Sequence, residues 1–379
     1  MIVPSSRKSG YLPEPVLTRS ERATQKRCKC LSVRSWNAKV WKGRQTSPHV
    51  HSKTSKRQLT VNIGFEALSE NQLRQYIDAE TVFAAWQKAR EEALAVRGSM
   101  RWRELRGKNT LLRISTTGSQ KVLGKDTVEL HELYDRFMAR KTALQSRVKS
   151  LGAAVDEHQR LNRALRVGRA PAVVVGILNA IEQSGHAAHI KTIGTHALFA
   201  YEAACGVRIA QGAMATLDVD LFFHTRKRIS FFTQMHKHNA SFLKIVQKAD
   251  PSFHVMEDQK HTAINDKGFQ VDIVRRLAKD GDPHPLRMSE SEEDLWAVQI
   301  PKAEWIESAE KFDQVIVAAS GEMATMRTID PVSFVRLKRL VAVDADRDPM
   351  KRPKDILQAD IVEKLVKDFL PQWHAKMRT

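Results

Sequence analysis

The sequence predicts an α+β protein with a mixed, mainly antiparallel sheet at its centre, a helical and hairpin module before it and a helical module after it. Three observations lead there. Short apolar runs of strand length, HIKTIG, TLDVDLFF, HTAIN and GFQVDIVRR, cluster in the middle of the chain. Turn signals fall between strand-like runs, at Gly107–Asn109, at Asn265–Gly268 and at Ser320–Gly321. Segments with apolar residues at helical spacing lie on both sides of that middle. The expected division is a basic tail over residues 1–57, a helical and β-hairpin module over 58–170, a domain carrying the acidic strands over 171–290, and a C-terminal hairpin and helical module over 291–379.

In chain order, LSENQLRQYIDAETVFAAWQKAREEALAVRG predicts one long helix or two short ones, stopped at Gly98. MRWRELRGKNTLLRIST predicts a hairpin, with Trp102, Leu105 and Leu111 to Ile114 as strand formers around Gly107. The long charged stretch from Thr127 to Gly168 is heptad-like and predicts a helical hairpin broken near Gly152, a packing surface without chemistry of its own. Pro171 to Gln183 predicts a helix, HIKTIG a strand, and THALFAYEAACG a helix whose first turn sits on Gly194. Such a turn offers unpaired backbone N–H groups and a positive partial charge to an anion, with Gly194 and Thr195 as the contacts. His196 beside them reads as a packed or capping histidine.

Asp218 and Asp220 stand i, i+2 in TLDVDLFF, so a strand there places both carboxylates on one face. Two adjacent acids repel, and a fold that buries them together holds a divalent cation between them, most often Mg²⁺ with a substrate phosphate completing the shell. Asp272, in GFQVDIVRR, supplies the third acid from an antiparallel extension of the sheet. The basic run Arg226, Lys227, Arg228 is either a solvated loop or a contact for acceptor phosphates, and Arg275 and Arg276 either balance local acid charge or neutralise a triphosphate. His236 and His238 diverge on a polar helix and are not ligands. SESEEDLWAV reads as exposed. DQVIVAASGEMATMRTIDP predicts a hairpin, followed by two helices that carry Pro331 and Pro353 in their first turns.

Composition limits the rest. At 379 residues and 42% hydrophobic, the chain is long enough for two or three modules. The longest apolar run, APAVVVGIL, is too short to cross a bilayer, and no apolar stretch follows the first basic residues, so neither a membrane span nor a secretory signal is expected. The three cysteines, Cys28, Cys30 and Cys205, make no disulfide framework and suit a reducing cytoplasm. Of the formal charge of +19, residues 1–57 hold 14 Lys or Arg against 2 Glu, a net of +12, which leaves +7 for the other 322 residues. That Ser-, Arg- and Lys-rich tail lacks periodicity and reads as disordered. It suits a nucleic-acid-binding arm, an organellar transit peptide, or an extension from a misplaced start.

The Gly-Thr turn at Gly194 and Thr195, the Asp218/Asp220 pair and the third acid Asp272 together resemble the DNA polymerase β-type nucleotidyltransferase superfamily. The order MRWRELRGKNTLLR, LGKDT, GRAPAV, IGTHALFAYEAACGVRI, ATLDVDLFF, GFQVDIVRR is similar to a bacterial subfamily of minimal nucleotidyltransferases over roughly residues 58 to 370. One departure stands out: the turn and the acid pair, usually about ten residues apart in the superfamily, are here separated by a helix and a loop. The resemblance implies transfer of an NMP from an NTP to an acceptor with release of pyrophosphate, on two Mg²⁺ ions held by Asp218, Asp220 and Asp272. It also implies nucleotide contacts from Lys338, Lys354 and Asp355. The acceptor is open among RNA, protein and small molecule. Two further readings remain: a toxin or phage-defence enzyme acting on tRNA or a partner protein, and an inactive nucleic-acid-binding or scaffold protein on the same fold.

Overall fold

The computed structural model describes residues 64–237, 240–279, 281–301 and 303–377. The expectations for the basic tail, for Cys28 and Cys30 and for His238 lie outside the described residues. The fold is α+β, and no described helix is long and apolar enough to cross a membrane.

The N-terminal part is a helical hairpin with a small sheet at its tip. A short strand, β1 (Phe65–Ala67), precedes helix α1 (Glu70–Ala95), which opens on a capping box in which the Ser69 side chain and the Gln72 side chain each accept from the other's backbone N–H. Strands β2 (Ser99–Leu105), β3 (Lys108–Ile114) and β4 (Gln120–Lys125) form an antiparallel sheet, one strand more than the hairpin predicted, because SQKVLGK folds back on β3. Helix α2 (Val128–Leu165) then runs unbroken for 38 residues. The break expected at Gly152 is absent. Its cost of about 1 kcal/mol against alanine is local, whereas packing along α1, with Trp86 at the glycine, holds the helix on both sides.

The central sheet has nine strands, seven of them in the order β11-β12-β10-β7-β5-β14-β13. They are β5 (Ile190–Ile193), β7 (Asp218–Phe223), β10 (Gln270–Arg275), β11 (Leu286–Arg287), β12 (Trp296–Gln299), β13 (Lys311–Val317) and β14 (Met323–Ile329). The remaining two, β8 (His254–Val255) and β9 (Thr262–Ile264), hang from the same edge of β10 that takes β12. Five strand pairings are antiparallel and three parallel. One expectation is corrected here: β10 meets β7 in parallel, and only its hairpin with β9 is antiparallel. A second correction concerns SESEEDLWAV. Leu295 is fully buried and Trp296–Gln299 is a strand of the sheet, while Asp294, also buried, accepts from the backbone of Phe242 and Leu243 at 2.8 Å each. The sheet continues through β13 and β14, so the boundary expected at residue 290 falls inside it.

Strand β7 alternates as its sequence suggests. Val219 and Leu221 face the core with Val271 and Ile273 of β10, all at most 1% exposed. Each such side chain contributes about 1.5–3 kcal/mol by leaving water, and together they fix the register that holds the intervening aspartates on the other face. The sheet is covered by α3 (Ala172–Gln183), α4 (Leu198–Cys205), α6 (Arg228–Lys237) and α7 (Phe242–Gln247). Helices α8 (Pro331–Ala342) and α9 (Arg352–Phe369) pack against one another, α9 also against α4, and α10 (Pro371–Met377) closes the chain. Both α8 and α9 carry proline in the first turn, where the missing N–H costs nothing.

The β13–β14 hairpin turns at Gly321, whose φ of +90° and close approach to the Gln159 carbonyl of α2 leave no room for a side chain. The helical hairpin docks there. Asn162 donates to the Gly321 carbonyl at 3.2 Å, and the Tyr76 hydroxyl donates to the Val315 carbonyl at 2.7 Å.

Candidate active site

Parallel pairing of β7 and β10 sets Asp272 directly beside Asp220, and Gln270 beside Asp218. The period of two in β7 then completes a triad: Asp218, Asp220 and Asp272 each place a carboxylate oxygen within 4.8 Å of the others. Asp272 is buried, the other two partly so. The outer acids each have a hydroxyl partner. Thr262 donates to Asp272 Oδ1 at 2.6 Å, and Thr216 donates to Asp218. Asp220, in the middle, accepts no hydrogen bond among the described residues.

The electrostatics follow from that crowding. Burial, then the charges of Asp218 and Asp272, push Asp220 up to about 8, against the pull of Lys338 and Arg347. Burial and Asp218 raise Asp272 to about 6, although the Thr262 hydroxyl works the other way. Two of the three acids, Asp220 and Asp272, are held back from ionising beside Asp218, so the site is short of positive charge.

Sheet pairing also removes the one departure from the expected motif. Although α4, the short strand β6 (Val207–Ile209) and α5 (Gln211–Met214) intervene in sequence, β5 lies antiparallel to β7 with Ile193 opposite Asp220. Gly194 follows at once. Its φ is +70°, and a Cβ there would lie 2.0 Å from Asp220 Oδ2, so both backbone and space demand glycine. Residues Gly194–Ala197 form a tight 3₁₀ turn that leads into α4, in place of an α-helical first turn. The Thr195 hydroxyl accepts from Gln358 Nε2 at 3.1 Å, and the same amide donates to the Ala213 carbonyl at 2.6 Å, which ties α9 to the turn and to the approach to β7. His196 is packed as expected, between the rings of Phe199 and Phe269, and burial lowers it to about 4.

The C-terminal helices bring cations to this face. Lys338 on α8 is buried and pairs with Asp355 of α9 at 2.9 Å, and Arg347 holds the other Asp355 oxygen at 2.7 Å. Asp355, expected at the nucleotide, is the buried anchor of two cations that act on Asp220. Lys354 donates to the Ala215 carbonyl at 2.5 Å, and burial, then the neighbouring Lys338, lower its pKa while Asp218 opposes them. Lys351 is likewise lowered by burial and raised by Asp218 and Asp220. Arg347 and Lys351 escaped the sequence reading because DADRDPMKRPKD reads as a charged connection. Their position just ahead of Lys354 was the available signal.

The basic residues at the far ends of the same strands have partners within the protein. Arg276 pairs with Glu307 at 3.0 Å and with Asp282 at 2.7 Å, Arg226 with Glu307 at 3.3 Å, and Arg228 with Asp282 at 3.0 Å. Arg275 is fully buried and donates to the Pro283 carbonyl at 2.9 Å, and Lys227 donates to the Ala188 carbonyl at 3.0 Å. Three of the five close the structure around two acids, and the other two bind backbone carbonyls. They stand past the C-terminal ends of β7 and β10 or in the last turn of β10, away from the triad at the other end.

A nucleotidyltransferase family profile matches residues 172–378, from the first residue of α3 through the triad, the Gly194 turn and the helices that carry Lys338, Lys354 and Asp355. No curated protein and no solved structure matches the chain. With more than half of its length inside that match, and the three acids brought together within it, the protein belongs to the nucleotidyltransferase family.

Proposed function

We propose that the protein is a magnesium-dependent enzyme of the polymerase β type, which transfers a nucleoside monophosphate from an NTP to an acceptor hydroxyl. The observation that carries this reading is the triad: three carboxylates within 4.8 Å of one another, the middle one with no hydrogen-bond partner among the described residues, under a glycine turn that abuts it. An all-oxygen donor set of three crowded carboxylates fits a hard divalent cation, and Mg²⁺ in particular. Bound there, Mg²⁺ would neutralise phosphate charge and lower the pKa of the attacking hydroxyl.

In this reading Asp218, Asp220 and Asp272 hold the metal. The Gly194–Thr195 turn seats the triphosphate, because the absent Cβ lets its backbone approach the Asp220 carboxylate closely and the first amides of a helical turn lack partners within the helix. Lys354 and Lys351 supply positive charge to the phosphates, while Asp355 holds Lys338 and Arg347 in place beside Asp220. Asp272, with Oδ1 engaged by Thr262, keeps its other oxygen for the proton of the attacking hydroxyl. The acceptor oxygen bonds to the α phosphorus, the bridging α–β P–O bond breaks, and pyrophosphate leaves.

The test incubates the full chain with each of the four α-labelled NTPs, Mg²⁺ and a total cell extract, beside an Asp218→Asn, Asp220→Asn variant. Label that enters RNA, protein or a small molecule only with the unaltered chain supports nucleotidyl transfer and reveals the acceptor class. Label that is absent with every NTP, or equal in the variant, contradicts it.

A further inference from the structure

A cavity of about 810 Å³ lies where the end of α2, the loop that follows it and the β1–β6 pair meet, and four arginines line it: Arg163, Arg166, Arg169 and Arg208. Only Arg169 is neutralised. Its guanidinium makes a two-pronged pair with Glu202, at 2.9 and 2.5 Å, and donates to the Ile209 carbonyl. Arg163, Arg166 and Arg208 have no ion pair among the described residues, and Arg208 is held by the Arg166 carbonyl. The single acid on the wall, Glu66, stands opposite Arg208 across the β1–β6 ladder and forms no ion pair with it. Phe65 adds an aromatic face. Its ring meets Phe369 edge-on at 5.4 Å and lies 5.0 Å from Lys364 Nζ.

We propose that this cavity binds the phosphodiester backbone of a single-stranded RNA acceptor and leads its end to the acidic triad. The proposal rests on the nucleotidyl-transfer reading above. Three guanidinia with no ion pair among the described residues, beside an aromatic ring, match what a single strand offers, phosphates to pair and a base to stack. Position supports the same conclusion. Gln211 lines the cavity and begins α5, and the chain reaches Asp218 seven residues later. Even fully extended, that segment spans about 25 Å, a distance that a few nucleotides bridge. Of the basic residues first expected to meet the acceptor, Arg226, Arg228 and Arg276 are engaged by Glu307 and Asp282, whereas Arg163, Arg166 and Arg208 face this cavity with no ion pair among the described residues.

The test is fluorescence anisotropy of a labelled 20-nucleotide single-stranded RNA of mixed sequence, titrated with the full chain over a series of KCl concentrations. The chain is compared with an Arg163→Gln, Arg166→Gly, Arg208→Gln variant and with Asp220→Asn. The triple variant is expected to bind at least about tenfold more weakly, with the slope of log affinity against log salt flatter by about 2, as three lost phosphate contacts on a single strand imply. Asp220→Asn should bind as the unaltered chain does, which keeps a failure of the cavity distinguishable from a failure of the transfer reading. Arg166 caps α2 at a φ of +52°, where glycine is favoured, so Arg166→Gly alone removes one charge without harm to the fold and should flatten the slope by about 0.7. Equal affinity and slope in the arginine variants would overturn the proposal. Absence of RNA binding by the unaltered chain would overturn it as well, as would displacement of the RNA by inorganic tripolyphosphate from the unaltered chain and not from the triple variant, which would make the cavity a triphosphate site.

Discussion

The two ends of β7 and β10 present opposite charges and resolve them in opposite ways. At the N-terminal end of the pair, Asp218, Asp220 and Asp272 converge within 4.8 Å, and Asp220 has no hydrogen bond among the described residues to offset its neighbours. At the C-terminal end, Arg226, Arg228 and Arg276 converge too, but Glu307 and Asp282 meet them at 2.7 to 3.3 Å, and Glu307 also accepts from the Thr225 N–H at 2.7 Å. Both clusters are rich in charge and close to strand ends, and sequence alone presents them as equals. Only the first is left incomplete. A cluster that the protein satisfies by itself is architecture, and a cluster that needs a ligand to be satisfied is a site.

The largest break of this contrast is Asp220→Asn. Loss of the central acid should lower transfer by about 10³-fold or more, equivalent to roughly 4 kcal/mol of transition-state stabilisation, with the fold intact by circular dichroism. At the other end Glu307→Ala should do the reverse. It takes from Arg276 one of its two counter-charges, leaving Asp282, and from Arg226 its acid partner, and denaturant unfolding should show a loss of about 3 kcal/mol while the folded fraction keeps its transfer rate. Gly194→Ala tests the link between turn and triad. The strained φ and the clash with Asp220 should cost about 1–3 kcal/mol of stability and reduce transfer by more than the stability loss explains. The smallest effect belongs to Arg226→Ala: its side chain is 60% exposed, so its pair with Glu307 should be worth less than about 1 kcal/mol by the same unfolding measurement.

Local signals made much of this legible in the sequence. Alternation in TLDVDLFF placed Asp218 and Asp220 on one face, Asn265–Gly268 announced the β9–β10 turn, and Pro331 and Pro353 marked the starts of α8 and α9. What escaped was decided between distant segments. Nothing in GFQVDIVRR reveals that β10 meets β7 in parallel, because strand direction is set by the path of the whole sheet. Gly152 looked like a helix break because its propensity is local, whereas the packing of α1 on α2 is not. Arg226 and Arg276 looked available to a substrate because their acid, Glu307, lies some thirty to eighty residues away in sequence. Burial of Leu295 and Asp294 inside an acidic stretch is legible only once α7 is known to need that carboxylate at its first amides.

The central claim is that the acidic triad is an unsatisfied metal site, and the most direct measurement is the melting temperature against pH, with and without Mg²⁺, for the unaltered chain and Asp220→Asn. Asp220 and Asp272 hold their protons up to about 8 and about 6 in the folded protein, far above the ordinary carboxylate value of 3.8. The stability this contributes is complete below about pH 4 and is lost as pH rises through the folded values. The metal-free unaltered chain should therefore lose stability between about pH 4 and pH 8, and Mg²⁺ should restore it most strongly near pH 8. Asp220→Asn should be more stable than the metal-free unaltered chain at pH 8, by roughly 1–3 kcal/mol, and should gain little from Mg²⁺. A melting temperature that Mg²⁺ leaves unchanged at pH 8, or raises equally in Asp220→Asn, would contradict the account.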